Sequence, residues 1–312
     1  MTTALLRTAD AWWVHTPGGA ARVETDAQTT AELLADRERI EAARGSRRTV
    51  DPATLDLVSP VTAPCRVVAQ MTNFATHVRD SGLNPETIPL TFFRKTSGSI
   101  SGPFDHIVRP GHVRFLDYEV EIGLVIGREL PVGTQVTERN WSTFVAGLVV
   151  TNDVSARDVQ LPKTQFFESK SYPTFTPVGP LLVLLDADEL ATFGDLRLRL
   201  WVNGELRQDS TVDGDMIYSP REALQALSRF QRLDAGDLLL TGTPAGTALS
   251  APPKPVEIVA GLLPAALKWK LFFQRQAQNP DYLKHGDVVE VSVGTDDGVL
   301  DLGRQRTVVR CA

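Results

Sequence analysis

Leu116–Arg128, LDYEVEIGLVIGR, is the stretch on which the reading of this chain turns. Ile122, Leu124, Val125 and Ile126 suit the interior of a β-sheet, yet Glu119 and Glu121 stand two positions apart just before them. Side chains alternate along a strand, so residues two apart leave the same face. Two carboxylates on one half-buried face repel and are costly to desolvate. A positive group has to lie between them, either a basic side chain or a metal ion.

Outward from this stretch the chain reads as mostly β from Cys65 onward, with strand candidates such as CRVVAQM, LTFFRK, FVAGLVVTND, GPLLVLLD, DLLLTGTPAG and DVVEVSVG. LRLRLWV alternates and predicts one wet face, and Asn203-Gly204 after it is a two-residue hairpin signal. SPREALQALSRF predicts a short helix with Ser219 as N-cap and Pro220 in the first turn. Residues 1–60 read as a small α/β N-terminal domain. Its parts are strands at ALLRT and AWWVH, a Gly18-Gly19 turn, and one helix over TTAELLADRERIEAARG with Thr29 and Glu32 at capping-box spacing. Residues 61–312 form the second domain. It carries a helical insertion at about 251–281, in which Ile258, Leu262, Ala265, Trp269 and Phe272 fall near one face. That face packs on the core, meets a second subunit, or walls a substrate pocket.

The 312 residues, 42% hydrophobic and 22% charged, support a sizeable ordered core. A net charge of −6 argues against a general nucleic-acid binder. Two cysteines give neither a disulfide framework nor a zinc spacing, which suits a reducing, cytoplasmic setting. No apolar run is long enough for a bilayer, and the N-terminus lacks the pattern of a signal peptide. A dinucleotide fingerprint is absent. GSISG, Gly98–Gly102, places Ile100 where a serine nucleophile would stand, so a serine hydrolase is a poor reading.

Asp153 follows the apolar run VAGLVV and adds a third carboxylate on a β element. Three such oxygens, with no His or Cys nearby in sequence, suit a hard divalent cation better than zinc or copper. At this point a resemblance emerges. DYEVE, NDVSARDVQ, Lys170-Ser171, FTPVGP, VNGELRQ, Met216 and GDLLLTGTPAG occur in an order that resembles the fumarylacetoacetate hydrolase family, over roughly residues 65–250 and again at HGDVVEVSV. The resemblance implies a mainly β (α+β) mixed β-roll and a homodimer. It further implies Mg2+ or Mn2+, with Ca2+ able to take its place, held by Glu119, Glu121 and Asp153. Lys170 matches the family's substrate-facing lysine. Arg157 and Gln160 match site-lining positions, and Gly242 and Thr243 a turn that donates to the substrate carboxylate. Arg94 falls where the family carries a lysine. NFATHVRD matches a lid motif that makes His77 the general base, with Asp80 in place of the family's Glu, or another acid such as Glu86, to orient it.

The function these matches imply is metal-dependent hydrolysis of a carbon–carbon bond in a 1,3-dicarbonyl 2-oxo acid, of acylpyruvate or fumarylpyruvate type, in the catabolism of aromatic or related compounds. Decarboxylation of a β-keto acid such as oxaloacetate, or keto–enol isomerisation of a 2-hydroxydienoate, fits the same residues. A non-catalytic metal-stabilised binding protein fits the carboxylates but not the retention of His77, Lys170 and Thr243 together.

Overall fold

The computed structural model describes residues 2–163, 166–249 and 263–312. Ile258 and Leu262 of the expected insertion lie outside these residues; a helix is present over Ala265–Gln276.

Two sheets make the body of the fold. The larger has nine strands, in the order Gly19–Arg22, Trp12–Thr16, Thr3–Arg7, Leu182–Leu184, Val145–Asn152, Val120–Ile126, Leu238–Leu240, Val67–Met71 and Thr91–Lys95. All neighbours run antiparallel except Leu238–Leu240 with Val67–Met71. The second sheet has five strands: Glu205–Thr211, Leu196–Val202, Val288–Thr295, Asp301–Cys311 and Ile107–Arg109. Ile122, Leu124, Leu148 and Val150 from the first meet Leu198, Leu200, Val291 and Val293 from the second in one buried cluster. On its other face the nine-stranded sheet gathers Leu5, Trp12, Val125, Val149 and Leu238 into a second cluster with Leu33 and Ile40 of the two helices within residues 30–44. The central strands Val120–Ile126 and Val145–Asn152 are therefore buried at every position. That explains why their sequences run apolar without alternation.

The exposed-face strand behaves differently. Leu196–Val202 alternates buried and half-buried residues. Asn203 (φ 53°) and Gly204 (φ 81°) then turn the chain into Glu205, both with the positive φ that a tight hairpin of this kind requires. Ser219 caps the helix Pro220–Ser228 by accepting from the Glu222 N–H.

The N-terminal region departs from the sequence pattern in detail. The helix expected over residues 29–45 is two, Thr30–Ala35 and Arg37–Arg44, broken at Asp36 (ψ 52°). The Thr29–Glu32 capping box forms at the first of them. The sequence sets residues 1–60 apart as a small unit. Their hairpin instead continues the main sheet, with Thr3 opposite Leu184 and Leu5 opposite Leu182, and shares its buried cluster.

Candidate active site

The stretch Leu116–Arg128 is not one strand. Leu116–Asp117 pairs with Ser155–Ala156, Val120–Ile126 pairs with Val145–Asn152, and Tyr118-Glu119 bridges the gap. Asp117 fixes the break. Its fully buried carboxylate accepts from the N–H groups of Tyr118, Ala248 and Leu249 at 2.8, 2.7 and 3.0 Å and from Arg157 Nε at 2.8 Å. Glu119 is then held by its backbone: its N–H donates to Asn152 Oδ1 and its carbonyl accepts from the Asp153 N–H. Register does the rest, since Glu121 stands opposite Thr151. Carboxylate oxygens of Glu119, Glu121 and Asp153 lie within 4.8 Å of one another, and all three residues are buried.

Basic side chains meet two of the three. Lys170 Nζ donates to Glu119 Oε2 at 2.5 Å and to Asp153 Oδ2 at 2.7 Å. Arg157 Nη2 donates to Glu119 Oε1 at 2.5 Å, and its Nη1 to Gln160 Oε1 at 2.8 Å. Lys95 Nζ donates to the other oxygen of Asp153 and to the Phe175 carbonyl. Glu121 receives no cation; the Gly242 N–H donates to its Oε2 at 2.7 Å.

The protonation balance follows. Burial would raise the Glu119 carboxyl, but Lys170 and Arg157 overcome it and bring it down to about 2. Burial raises the Glu121 carboxyl, and the charges of Asp153 and Glu119 push it further up. Burial lowers the Lys95 ammonium despite Asp153, while for Lys170 the carboxylates of Asp153 and Glu119 outweigh burial and raise it. Counting Asp117, four buried carboxyl groups thus face three buried cations, and the one that no cation bonds, Glu121, is the one whose ionisation the site opposes. Three clustered oxygen donors, one of them held back from ionising for want of a positive partner, fit a hard divalent cation. Such an ion, with all three ionised, would leave the cluster net positive and suit an anionic ligand.

A cavity of about 1040 Å³ opens beside Glu119, Arg157 and Lys170. His77 borders it from the helix Ala75–Asp80. Burial lowers its imidazole, with Glu119 pulling the other way, and its Nδ1 is buried without a hydrogen-bond partner. Phe74 in the N-cap position offers this helix no side-chain cap. Asp215 substitutes from a distance: its carboxylate accepts from Thr76 N at 2.7 Å, Thr76 Oγ1 at 2.6 Å and Ser210 Oγ at 2.7 Å, and its carbonyl from Ala75 N at 2.8 Å. Asn73 adds bonds to Tyr218 and to the Thr241 carbonyl. Gln208 joins the Val120 N–H to Thr243 Oγ1, both at 2.9 Å, and so ties the glycine-rich loop to the strand that carries Glu121.

Known proteins bear on this arrangement. The profile of the family described as fumarylacetoacetate (FAA) hydrolase, C-terminal, matches residues 66–310. The chain belongs to the fumarylacetoacetate hydrolase family. It is 35% identical over 225 residues, 69% of this chain and 70% of the other, to the mitochondrial oxaloacetate tautomerase Fahd2a of Rattus norvegicus. The match spans 61% of the length of a bovine counterpart. A 2,4-didehydro-3-deoxy-L-rhamnonate hydrolase of a Sphingomonas strain is 35% identical over 87% of this chain and 84% of its own. Among solved structures, a probable 2-hydroxyhepta-2,4-diene-1,7-dioate isomerase from Mycobacterium abscessus superposes with TM-score 0.75 at 30% identity, covering 100% of this chain and 99% of that one. Members of the fumarylacetoacetate hydrolase family are thus named as hydrolases, isomerases and tautomerases.

Of the positions singled out by resemblance to this family, Glu119, Glu121, Asp153, Lys170, Arg157 and Gln160 converge at one buried place, with His77 and Thr243 on the same cavity. Three need correction. Arg94 is exposed, because alternation along Thr91–Lys95 sends Lys95 inward and Arg94 out. Asp80 is exposed at the helix end, and no hydrogen bond joins it to His77. The Gly242 N–H is engaged by Glu121 and is not free for a substrate carboxylate. Gly242 itself has φ +89°, and a Cβ there would lie 2.8 Å from the Cβ of Asn73. Lys95, Asp215 and Gln208 were missed. Their signals are a second basic residue beside Arg94, the Asp before Met216, and the Gln ending VNGELRQ.

Proposed function

We propose that this protein hydrolyses a carbon–carbon bond in a 1,3-dicarbonyl 2-oxo acid, of acylpyruvate or fumarylpyruvate type. The observation that carries the reading is His77, whose unpartnered ring nitrogen belongs to a residue bordering the cavity that holds Glu119, Arg157 and Lys170. Glu119, Glu121 and Asp153 would hold Mg2+ or Mn2+, which supplies Lewis acidity toward the 2-oxo acid end when bound. The lowered imidazole of His77 is neutral near pH 7 and can take a proton from water. The water oxygen then bonds to the distal carbonyl carbon. The carbon–carbon bond breaks with its electron pair left on the 2-oxo fragment, where the Lys170 ammonium offsets the charge. His77 returns the proton to that carbon. A 2-oxo acid and a second carboxylic acid leave.

The cavity of about 1040 Å³ leaves room for a substrate larger than a four-carbon acid. The Sphingomonas relative, named for hydrolysis of a didehydro-deoxy acid, points the same way. A second reading, keto–enol tautomerisation, is favoured by one observation: Asp80 does not hold the His77 ring, and a base that only moves a proton needs no such orienting partner.

Product analysis by NMR on acylpyruvates, oxaloacetate and a dienoate decides. Hydrolysis releases pyruvate and a second acid, tautomerisation only shifts the keto–enol ratio, and decarboxylation releases carbon dioxide. His77→Ala is expected to lose roughly two to four orders of magnitude in hydrolysis, with folding and metal content unchanged. Oxalate, a flat doubly charged mimic of the 2-oxo acid end, is expected to compete only when the divalent ion is present. Acylpyruvates that pass through unchanged would remove the hydrolytic reading.

A further inference from the structure

Gln70 is a buried polar side chain with nothing bonded to it. It stands on the strand Val67–Met71, is 2% exposed, and borders the same cavity as His77, Glu119 and Lys170. Among the described residues neither its amide nitrogen nor its amide oxygen has a hydrogen-bond partner, and both atoms are closed off from solvent. The other buried amides differ. Asn73, Asn152, Gln160, Gln208, Gln276 and Gln305 each have at least one end bonded. A buried donor and a buried acceptor left unmade on one side chain are destabilising, and an apolar residue of the same length would fill the place without that loss. Thr72, two residues on and also bordering the cavity, has a φ of 51°, a conformation that a β-branched residue seldom adopts. The strand end at the cavity is thus held against local preference at two positions. The unbonded amide is also free to move: a change of rotamer that turns it into the cavity breaks no hydrogen bond.

We propose that Gln70 is a specificity-determining residue, whose amide turns into the cavity and binds a hydroxyl group carried by the ligand beyond its 2-oxo acid end. A side-chain amide offers an N–H donor and a carbonyl acceptor side by side. A hydroxyl answers both, accepting from Nε2 and donating to Oε1. A carboxylate answers only the donor and sets its charge against Oε1, and a methyl group answers neither. Other polar groups of the wall are already committed. Arg157 bonds Asp117, Glu119 and Gln160, and Lys170 bonds Glu119 and Asp153. The contact rests on the 2-oxo acid reading above and adds to it a residue that the bond-breaking steps do not use.

Oxamates test it, because a nitrogen in place of carbon 3 keeps the planar 2-oxo acid end and removes the carbon–carbon bond to be cleaved. Isothermal titration of the Mn2+-loaded protein compares N-(2-hydroxyethyl)oxamate with N-propyloxamate, and N-(3-hydroxypropyl)oxamate with N-butyloxamate. Within each pair a hydroxyl replaces a methyl group, and the two pairs carry it at two distances. In at least one pair the hydroxyl probe is expected to bind about five- to tenfold more tightly. In Gln70→Met the order is expected to reverse, because a hydroxyl without a partner costs more to bury than a methyl group. Oxalate, which lacks the far group, should bind that variant as it binds the wild type. The ligand-free variant should also melt about 2 °C higher, since two unmade bonds are gone. Methyl probes that match or beat their hydroxyl counterparts in the wild type, a hydroxyl preference that survives Gln70→Met, or loss of oxalate binding in that variant would each overturn the role of Gln70. So would a lower melting temperature, which would mean that buried water already bonds the amide. Failure of the wild type to bind oxalate or any oxamate would instead sink the 2-oxo acid reading, and the contact with it.

Discussion

Lys95 and Arg94 are neighbours in sequence and opposites in surroundings: one is fully buried against Asp153, the other faces solvent. Lys95→Ala is expected to destabilise by about 3–5 kcal/mol, as removal of one member of a buried pair does. Arg94→Ala is expected to stay within about 0.5 kcal/mol. Chemical denaturation of both variants checks the ordering, and equal losses would show that the inward face has been misassigned. Glu121 gives the opposite case. Its carboxyl is bonded by no cation, and burial together with the charges of Asp153 and Glu119 opposes its ionisation, so Glu121→Gln should stabilise the metal-free protein. A gain of about 1 kcal/mol corresponds to roughly 2–4 °C in a domain of this order of size. The same change should abolish the rise in melting temperature expected when Mn2+ is added to the wild type. An unchanged Mn2+ response would exclude Glu121 as a ligand. The sequence made the carboxylate trio legible, because residues two apart and the end of the next apolar run are local facts. It did not make Lys95 legible: Phe92 and Phe93 are both apolar, so alternation in LTFFRK does not say which of Arg94 and Lys95 turns inward.

Helix Ala75–Asp80 is too short to stand on its own, and its N-terminus is satisfied from a residue 139 positions away. That distance is why Asp215 could not be found by reading locally. The lid motif was visible as a pattern, but its anchor was not. The same holds for Gln208, which reaches the Val120 N–H across 88 positions. Asp215→Ala removes a helix cap and is expected to cost about 1–2 kcal/mol. Because His77 follows Thr76 directly, kcat should fall while the affinity for Mn2+ and for oxalate stays level. Asp215→Asn keeps one acceptor oxygen and should recover part of kcat. Loss of Mn2+ binding in either variant would show a wider collapse and remove the positioning role.

For the whole molecule, the architecture was readable where strands carry uniform or alternating patterns, and it was not readable where separate runs join one sheet. Nothing in ALLRT or AWWVH announces that their partner is Leu182–Leu184. Removing residues 1–60 would therefore bare the edge of Leu182–Leu184 and the apolar faces of Val125, Val149 and Leu238. The truncated chain is expected to aggregate; a monodisperse, folded 61–312 fragment in size-exclusion chromatography and circular dichroism would contradict this.

Thr3 and Leu184 face each other across the sheet, so the strand Thr3–Arg7 must wait during synthesis for a partner made about 180 residues later. At bacterial or eukaryotic synthesis speeds of about 5–20 residues per second, that wait is on the order of ten to forty seconds. Through it Leu5, Trp12 and Val14 have only the nearby helices Thr30–Ala35 and Arg37–Arg44 for cover. Native folding should accordingly depend on chaperone holding of nascent residues 3–44, and slowing translation after residue 60 should lower the yield of native protein more than slowing it after residue 190.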